Sequence, residues 1–339
     1  VVGQPPAPPP APPAADPLAA PTSRVGGIDP RFVAFTGATV RVDPDTTVSN
    51  ATLVVRAGVI ESVKEGGDAP ASAKVIDARG LFIYPGFVDA FVEVDAPRPD
   101  PAGKGAHWNY HVMPQRRALD GRGIDDATAD SLRKLGFVAA GLSPKGGVFR
   151  GSGAAVSLAK PDGDPAEPRP VVYNPLTYQA LSFEGTGDAP GGADGRWGGY
   201  PSSQMGAIAL IRQTLIDAEY RAKRLATGVD AGTASCLDEL NAIGEKGLLL
   251  FSVGDELEEL RAWTVAEEFG KRAVVVGNGT EYKRLEAVAA QKRPVVVPLN
   301  YPEKPRVAGL GEASSVELRE LMSWEQAPTN PRRLKQAGV

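Results

Sequence analysis

The sequence predicts an α/β protein with a small all-β region ahead of it, on three observations. From Gly86 onward, short apolar runs alternate with stretches of helical period, the pattern of a parallel sheet with crossover helices. Before that point four β-rich runs are separated by turn residues. At the junction lies Leu81-Phe-Ile-Tyr-Pro-Gly-Phe-Val-Asp-Ala-Phe-Val-Glu-Val-Asp95, a strand-like run in which Phe91 and Glu93, two apart, point to the same side.

The elements follow in order. Residues 1–30 are dominated by Pro and Ala and read as a disordered, extended linker with too little apolar bulk to join a core. Such a stalk is expected in an exported protein, which points to a periplasmic or cell-surface setting. Residues 31–84 hold the runs Phe32–Val42, Ala51–Arg56, Val59–Val63 and Lys74–Asp77, read as antiparallel strands because Asp-Pro, Ser-Asn, Ala-Gly and Gly-Gly pairs divide them. Over residues 85–339 the strand candidates are Phe87–Val94, Phe137–Leu142, Leu248–Val253, Ala273–Gly277 and Pro294–Leu299. Helices are expected at Asp126–Leu135, Ser203–Leu225, Cys236–Ile243, Leu257–Phe269, Tyr282–Ala290 and Arg332–Ala337. In the helix from Ser203, the spacing of Met205, Ile208, Leu215 and Ile216 predicts the core-facing side, with Arg212, Asp217 and Arg221 facing water or partners. Gly185–Tyr200, with Trp197, reads as a long Gly-rich loop.

Composition narrows the function. A net charge of -4 argues against a general nucleic-acid binder, which needs a basic stripe to follow phosphates. The apolar runs are short and broken by Gly, Pro or charge, so no membrane span is expected. The single cysteine, Cys236, excludes an internal disulfide and any zinc site built on several cysteines, and reads as a packing residue.

The phrase Ile-Asp-Ala-x-Gly-x-x-x-x-Pro-Gly-Phe-Val-Asp, ending at Asp89, together with the preceding Val-Val-Arg-x-Gly-x-Ile hairpin, resembles the amidohydrolase superfamily. Ala106–Asn109, Gly136–Pro144, Gly151–Ala155, Met205–Thr214 and Ala266–Gly270 are similar to imidazolonepropionase-related exported bacterial members. The resemblance implies a small N-terminal β-sandwich over 31–84 and a TIM-type (β/α) barrel over 85–339. Its metal would lie at the carboxyl ends of the barrel strands, where bound water becomes a hydroxide that attacks C–N bonds. Only about five convincing strands are counted where a barrel needs eight, so the barrel is expected to be partial, completed by residues outside this sequence.

The same resemblance locates the positions where metal ligands belong. Its strand reads Pro-Gly-Phe-Ile-Asp-x-His-x-His; here the two histidine positions hold Phe91 and Glu93. The later-strand histidine falls at Leu250 or Ser252, and the next at Gly277 or Asn278. The final aspartate would lie beyond Val339.

Other candidates are weaker. His107 and His111, the only histidines, are four apart and would share a helix face, but Pro114 follows and a loop is the better expectation. Glu93, Asp95 and Asp255 would make an oxygen-only site for Mg or Ca. Arg150-Gly-Ser-Gly lacks the Lys-Ser/Thr ending of a phosphate loop, and Ser152 has no histidine partner for nucleophilic catalysis. Asp255-Glu256 and Glu267-Glu268 are adjacent acids that diverge on a helix and read as surface charges. No catalytic, cofactor-binding or metal-ligating residue is therefore assigned, and no cofactor. The expectation is a non-catalytic amidohydrolase-like module that supports or docks an active hydrolase module or chain. The alternatives are a C–N hydrolase with an unorthodox metal site and a binder of a small-molecule ligand.

Overall fold

The computed structural model describes residues 29–160, 171–183, 200–228, 234–242 and 247–339. The expected linker up to Ile28, most of the Gly-rich loop with Trp197, and Ile243 lie outside the described residues. The chain divides into two compact units, Val1–Pro85 and Gly86–Val339.

The first unit carries one five-stranded mixed sheet made of β1 (Asp29–Arg41), β2 (Thr47–Arg56), β3 (Val59–Glu65), β4 (Ala73–Asp77) and β5 (Phe82–Ile83). The expected all-antiparallel arrangement is corrected here. β4 and β5 both run parallel to β1, because the chain returns to the same edge of β1 after the β2–β3 hairpin. A bulge at Gly37, whose φ of 79° favours glycine, shifts the pairing from Thr36 opposite Thr52 to Ala38 opposite Ala51. The extra residue reverses the alternation. Phe32 and Ala34 pack with Val54 and Ala73, whereas Phe35, Ala38 and Val40 pack with Ala51 and Leu53 in a separate cluster.

The second unit begins with β6 (Phe87–Val94), followed by α1 (Asp126–Lys134), β7 (Phe137–Pro144), β8 (Phe149–Ser152), β9 (Ala154–Ser157), β10 (Val172–Asn174) and β11 (Gln179–Ser182). Then come α2 (Gln204–Ala226), α3 (Asp238–Ala242), β12 (Leu248–Ser252), α4 (Glu256–Glu268), β13 (Arg272–Val276), α5 (Leu285–Ala290) and β14 (Val295–Val296). The last elements are α6 (Leu310–Ser315), α7 (Leu318–Gln326) and α8 (Asn330–Ala337). One sheet has the order β10-β9-β7-β6 and the other β14-β13-β12-β11-β8. β6 is parallel to β7, and β11 to β14 are mutually parallel. Among the described residues the two sheets do not join into a closed ring.

Alternation along β12 and β13 divides the core. Leu249, Phe251, Ala273 and Val275 meet the helices, packing with Leu210, Ile211 and Leu215 of α2, Ala262 and Trp263 of α4, and Leu334 of α8. Each fully buried Leu or Phe there contributes about 1.5–3 kcal/mol. The buried stripe of α2 is Ala207, Leu210, Ile211, Thr214, Leu215 and Ala218, which corrects the predicted face. Of the predicted residues Leu215 is buried and Ile208 packs against the core, whereas Met205 and Ile216 are exposed. Arg212 and Arg221 are paired, with Glu268 and Asp238. The strand expected over Pro294–Leu299 is only the two residues of β14, and the helix from Tyr282 opens as a 3-10 turn over Glu281–Arg284. No helix among the described residues is long and apolar enough to cross a membrane.

Candidate functional site

Val92 and Val94 of β6 pack with Ala140, Leu142 and Val156, so Phe91 and Glu93 face the opposite side, towards the second sheet. There Phe91 joins Tyr178, Ala180, Leu250 and Val276 in an apolar layer. The next step towards the carboxyl ends is polar. Glu93 is in register with Ser143 of β7, and Ser182 of β11 with Ser252 of β12. Arg150 of β8 reaches across, its Nη1 donating to Glu93 Oε1 at 2.7 Å. The Arg150 side chain is only 8% exposed while that of Glu93 is 39% exposed, so the carboxylate lies at the opening and the guanidinium behind it.

A metal centre needs at least three well-placed donors, and the residues at these strand ends do not fit one. Phe91 and Leu250 are committed to the apolar layer. A Cβ on Gly277 would stand 1.9 Å from Glu281 Oε1, so the space a ligand side chain would use is filled by a carboxyl group arriving from the helix side. Asn278 binds its own neighbourhood: its amide nitrogen donates to Gly254 O and its Oδ1 accepts from Thr280 N at 3.1 Å. The oxygen-only set is not brought together either. Glu93 is held by Arg150, Asp95 lies 3.6 Å from Lys145 Nζ, and Asp255 caps α4, accepting from Leu257 N at 2.9 Å and Glu258 N at 2.8 Å. Among the described residues no three His, Cys, Asp or Glu side chains are grouped to hold an ion.

The histidines sit in a buried loop, not on a helix. His107 Nδ1 accepts from Asn109 N at 3.0 Å, and Asn109 Oδ1 accepts from His111 N at 2.9 Å, so short-range turns set their positions. Burial pushes both imidazoles below their ordinary pKa, and Asp217 partly opposes this at His107 while Arg98 reinforces it at His111. Ser152 Oγ donates to the carbonyl of Arg116 at 3.4 Å and, among the described residues, to no base. The thiol of Cys236 is buried and its pKa is pushed up by burial. Of the paired acids, Glu268 forms two 2.6 Å bonds with Arg212, and Glu256 accepts from Thr280 Oγ1 at 2.9 Å, so these charges tie elements together.

Arg150 entered the sequence reading only as the start of a rejected phosphate loop, and Arg116 and Ser143 were not singled out. The available signal was Arg150 inside the run Val148-Phe-Arg-Gly-Ser, where a cation in a strand between buried apolar residues needs a partner. Arg116 is 5% exposed and binds Ala96 O through Nε at 3.2 Å, so it fastens the exit of β6.

No protein-family profile matches the chain. A dihydroorotase of Anaeromyxobacter dehalogenans (strain 2CP-C) is 29% identical over 163 residues, 42% of this chain and 37% of that protein. One of Geotalea daltonii is 28% identical over 161 residues, with the same coverage of 42% and 37%. The aligned segment thus spans little more than a third of these curated relatives. Among solved structures, an amidohydrolase from Thermotoga maritima MSB8 superposes with a TM-score of 0.66 at 21% identity, covering 91% of this chain and 76% of that one. Over part of its length the chain is thus similar in sequence to dihydroorotases, and it shares the fold of an amidohydrolase.

Proposed function

We propose that the chain is a non-catalytic amidohydrolase-fold module, related to the imidazolonepropionase-like branch, that supports or docks an active hydrolase module. The observation that carries this reading is the Glu93–Arg150 pair. At the second histidine position a carboxylate meets a guanidinium at 2.7 Å, so a fixed organic cation stands where the family's chemistry calls for a Lewis acid. A guanidinium has no open coordination position and does not release a proton near neutral pH, so it cannot generate hydroxide. The apolar layer of Phe91, Leu250 and Val276 supports the same reading, because none of these three side chains carries a donor atom for a metal.

Hydrolysis of C–N bonds at an unorthodox metal site is the competing reading, favoured by the dihydroorotases among the relatives. Metal analysis and turnover together separate the two. We expect dialysed protein to hold no stoichiometric zinc and to hydrolyse neither N-acyl amino acids nor cyclic amides. About one zinc per chain with turnover abolished by a chelator would reverse the assignment. The repair variant Phe91→His/Glu93→His is expected to gain zinc affinity without turnover, since Leu250 and Gly277 still supply no ligand.

A further inference from the structure

The carboxyl ends of β6 and β7 hold more positive charge than their own carboxylates neutralise. Glu93 is taken by Arg150 and Asp95 by Lys145. Among the described residues Arg98 and Arg116 pair with no carboxylate. Arg116 is buried and donates to carbonyl oxygens alone: Ala96 O at 3.2 and 2.5 Å, Gly146 O at 3.4 Å, and Lys145 O. Carbonyl dipoles solvate a guanidinium but bring no counter-charge. Arg98 leans over Tyr110, its guanidinium carbon 4.9 Å from the ring centre, with Nη1 4.0 Å from Met113 Sδ. Two buried polar atoms beside Glu93 have no hydrogen-bond partner: Nε of Arg150 and Oγ of Ser143.

We propose that the carboxyl ends of β6 and β7, with β8, form a binding site for a small dianionic oxyanion, a phosphate or a dicarboxylate. Arg98, the free Nε of Arg150 and the Ser143 hydroxyl supply the donors, and Arg116 supplies the buried charge behind them. A dianion answers the two guanidinium charges that lack an anion, and an oxygen acceptor answers the two orphaned donors. Consistent with this, burial pushes Arg116 down to about 10, and repulsion from Arg98 adds to that shift while Asp95 opposes it. The assignment rests on the reading of these strand ends as non-catalytic.

The test uses the full chain with inorganic phosphate and with succinate, each against chloride at matched ionic strength, read by thermal midpoint and by titration calorimetry. One or both oxyanions are expected to raise the midpoint by several degrees and to bind with one ion per chain; which one does so distinguishes the two sources. Arg98→Gln is expected to weaken binding about tenfold or more, and Arg150→Lys, which keeps a partner for Glu93, several-fold. Glu93→Gln, which removes a competing carboxylate, should tighten it, whereas exposed Lys64→Gln should leave it unchanged. No shift beyond chloride, or binding equal in Arg98→Gln and the parent, overturns the site and leaves the non-catalytic reading standing. Chelator-sensitive hydrolysis overturns that reading, and with it this one.

Discussion

Two buried regions of the second unit have opposite charge problems and solve them differently. At the ends of β6 and β7 the excess is cationic, and the guanidinium of Arg116 stays charged because three backbone carbonyls surround it. Behind β13 the excess is anionic. Glu259 of α4 is 0% exposed with neither oxygen hydrogen-bonded, and Glu281 is 1% exposed, bound by Asn330 Nδ2 and Gly279 N. Neither has a Lys or Arg partner among the described residues. Arginine carries five donors and finds acceptors on any nearby loop, so geometry can keep it ionised. A carboxylate without donors must take up a proton instead, and Glu259 is pushed up to about 8 by burial, then by Glu281 and Glu256.

The sharpest way to break this comparison is to remove the proton requirement. The folded-state pKa of Glu259 lies above the ordinary 4.5, so the native state holds a proton that the unfolded state gives up first. Its contribution is fully present below about pH 4.5 and is lost as pH rises to about 8, at roughly 1.4 kcal/mol per unit, or on the order of 5 kcal/mol in all. Urea unfolding of the parent at pH 5, 7 and 9 should trace that decline. In Glu259→Gln the decline should largely vanish, leaving the variant more stable than the parent at pH 9. A parent whose stability is flat over that range would mean that Glu259 finds a cation after all.

The cationic region should respond asymmetrically to loss of one partner. Glu93→Gln leaves the buried Arg150 without its anion and is expected to cost about 2 kcal/mol, less than for a fully buried pair because Glu93 is half-exposed. Arg150→Met leaves a carboxylate that water can reach, so its cost should stay near or below 1 kcal/mol. Chemical denaturation of both single variants and the double variant gives the coupling directly. Equal costs would indicate that Glu93 is as secluded as Arg150.

How far the sequence was readable follows from the range of the interactions. The inner-face placement of Phe91 and Leu250 was legible because alternation along a strand is local. The parallel return of β4 and the exposed placement of Met205 and Ile216 were not, since each depends on which surface packs opposite. The Glu93–Arg150 pair joins residues 57 apart in sequence, and no spacing rule connects them. Glu281 filling the space above Gly277 is a contact only four residues long, yet it was hidden because a 3-10 turn and the distant partner Asn330 aim the carboxyl inward.

The smallest expected effect lies at Asp255, which the sequence grouped with Glu93 and Asp95 and the fold places at the start of α4. It precedes α4, and its Oδ1 accepts from the amides of Leu257 and Glu258. A metal ligand and a helix cap differ in what asparagine does. Asparagine caps about as well as aspartate, so Asp255→Asn should lie within about 0.5 kcal/mol of the parent, whereas Asp255→Ala should lose about 1 kcal/mol by leaving two amides unpaired. The small residual difference for Asn should be electrostatic, since a carboxylate also favours the positive end of the helix dipole and salt weakens that term. Because α4 carries Glu259, fraying its first turn also admits water towards the buried carboxyl. Asp255→Ala should therefore flatten the pH dependence of stability slightly, and Asp255→Asn should not; equal flattening in both would indicate that the charge at Asp255, and not the cap, governs the region.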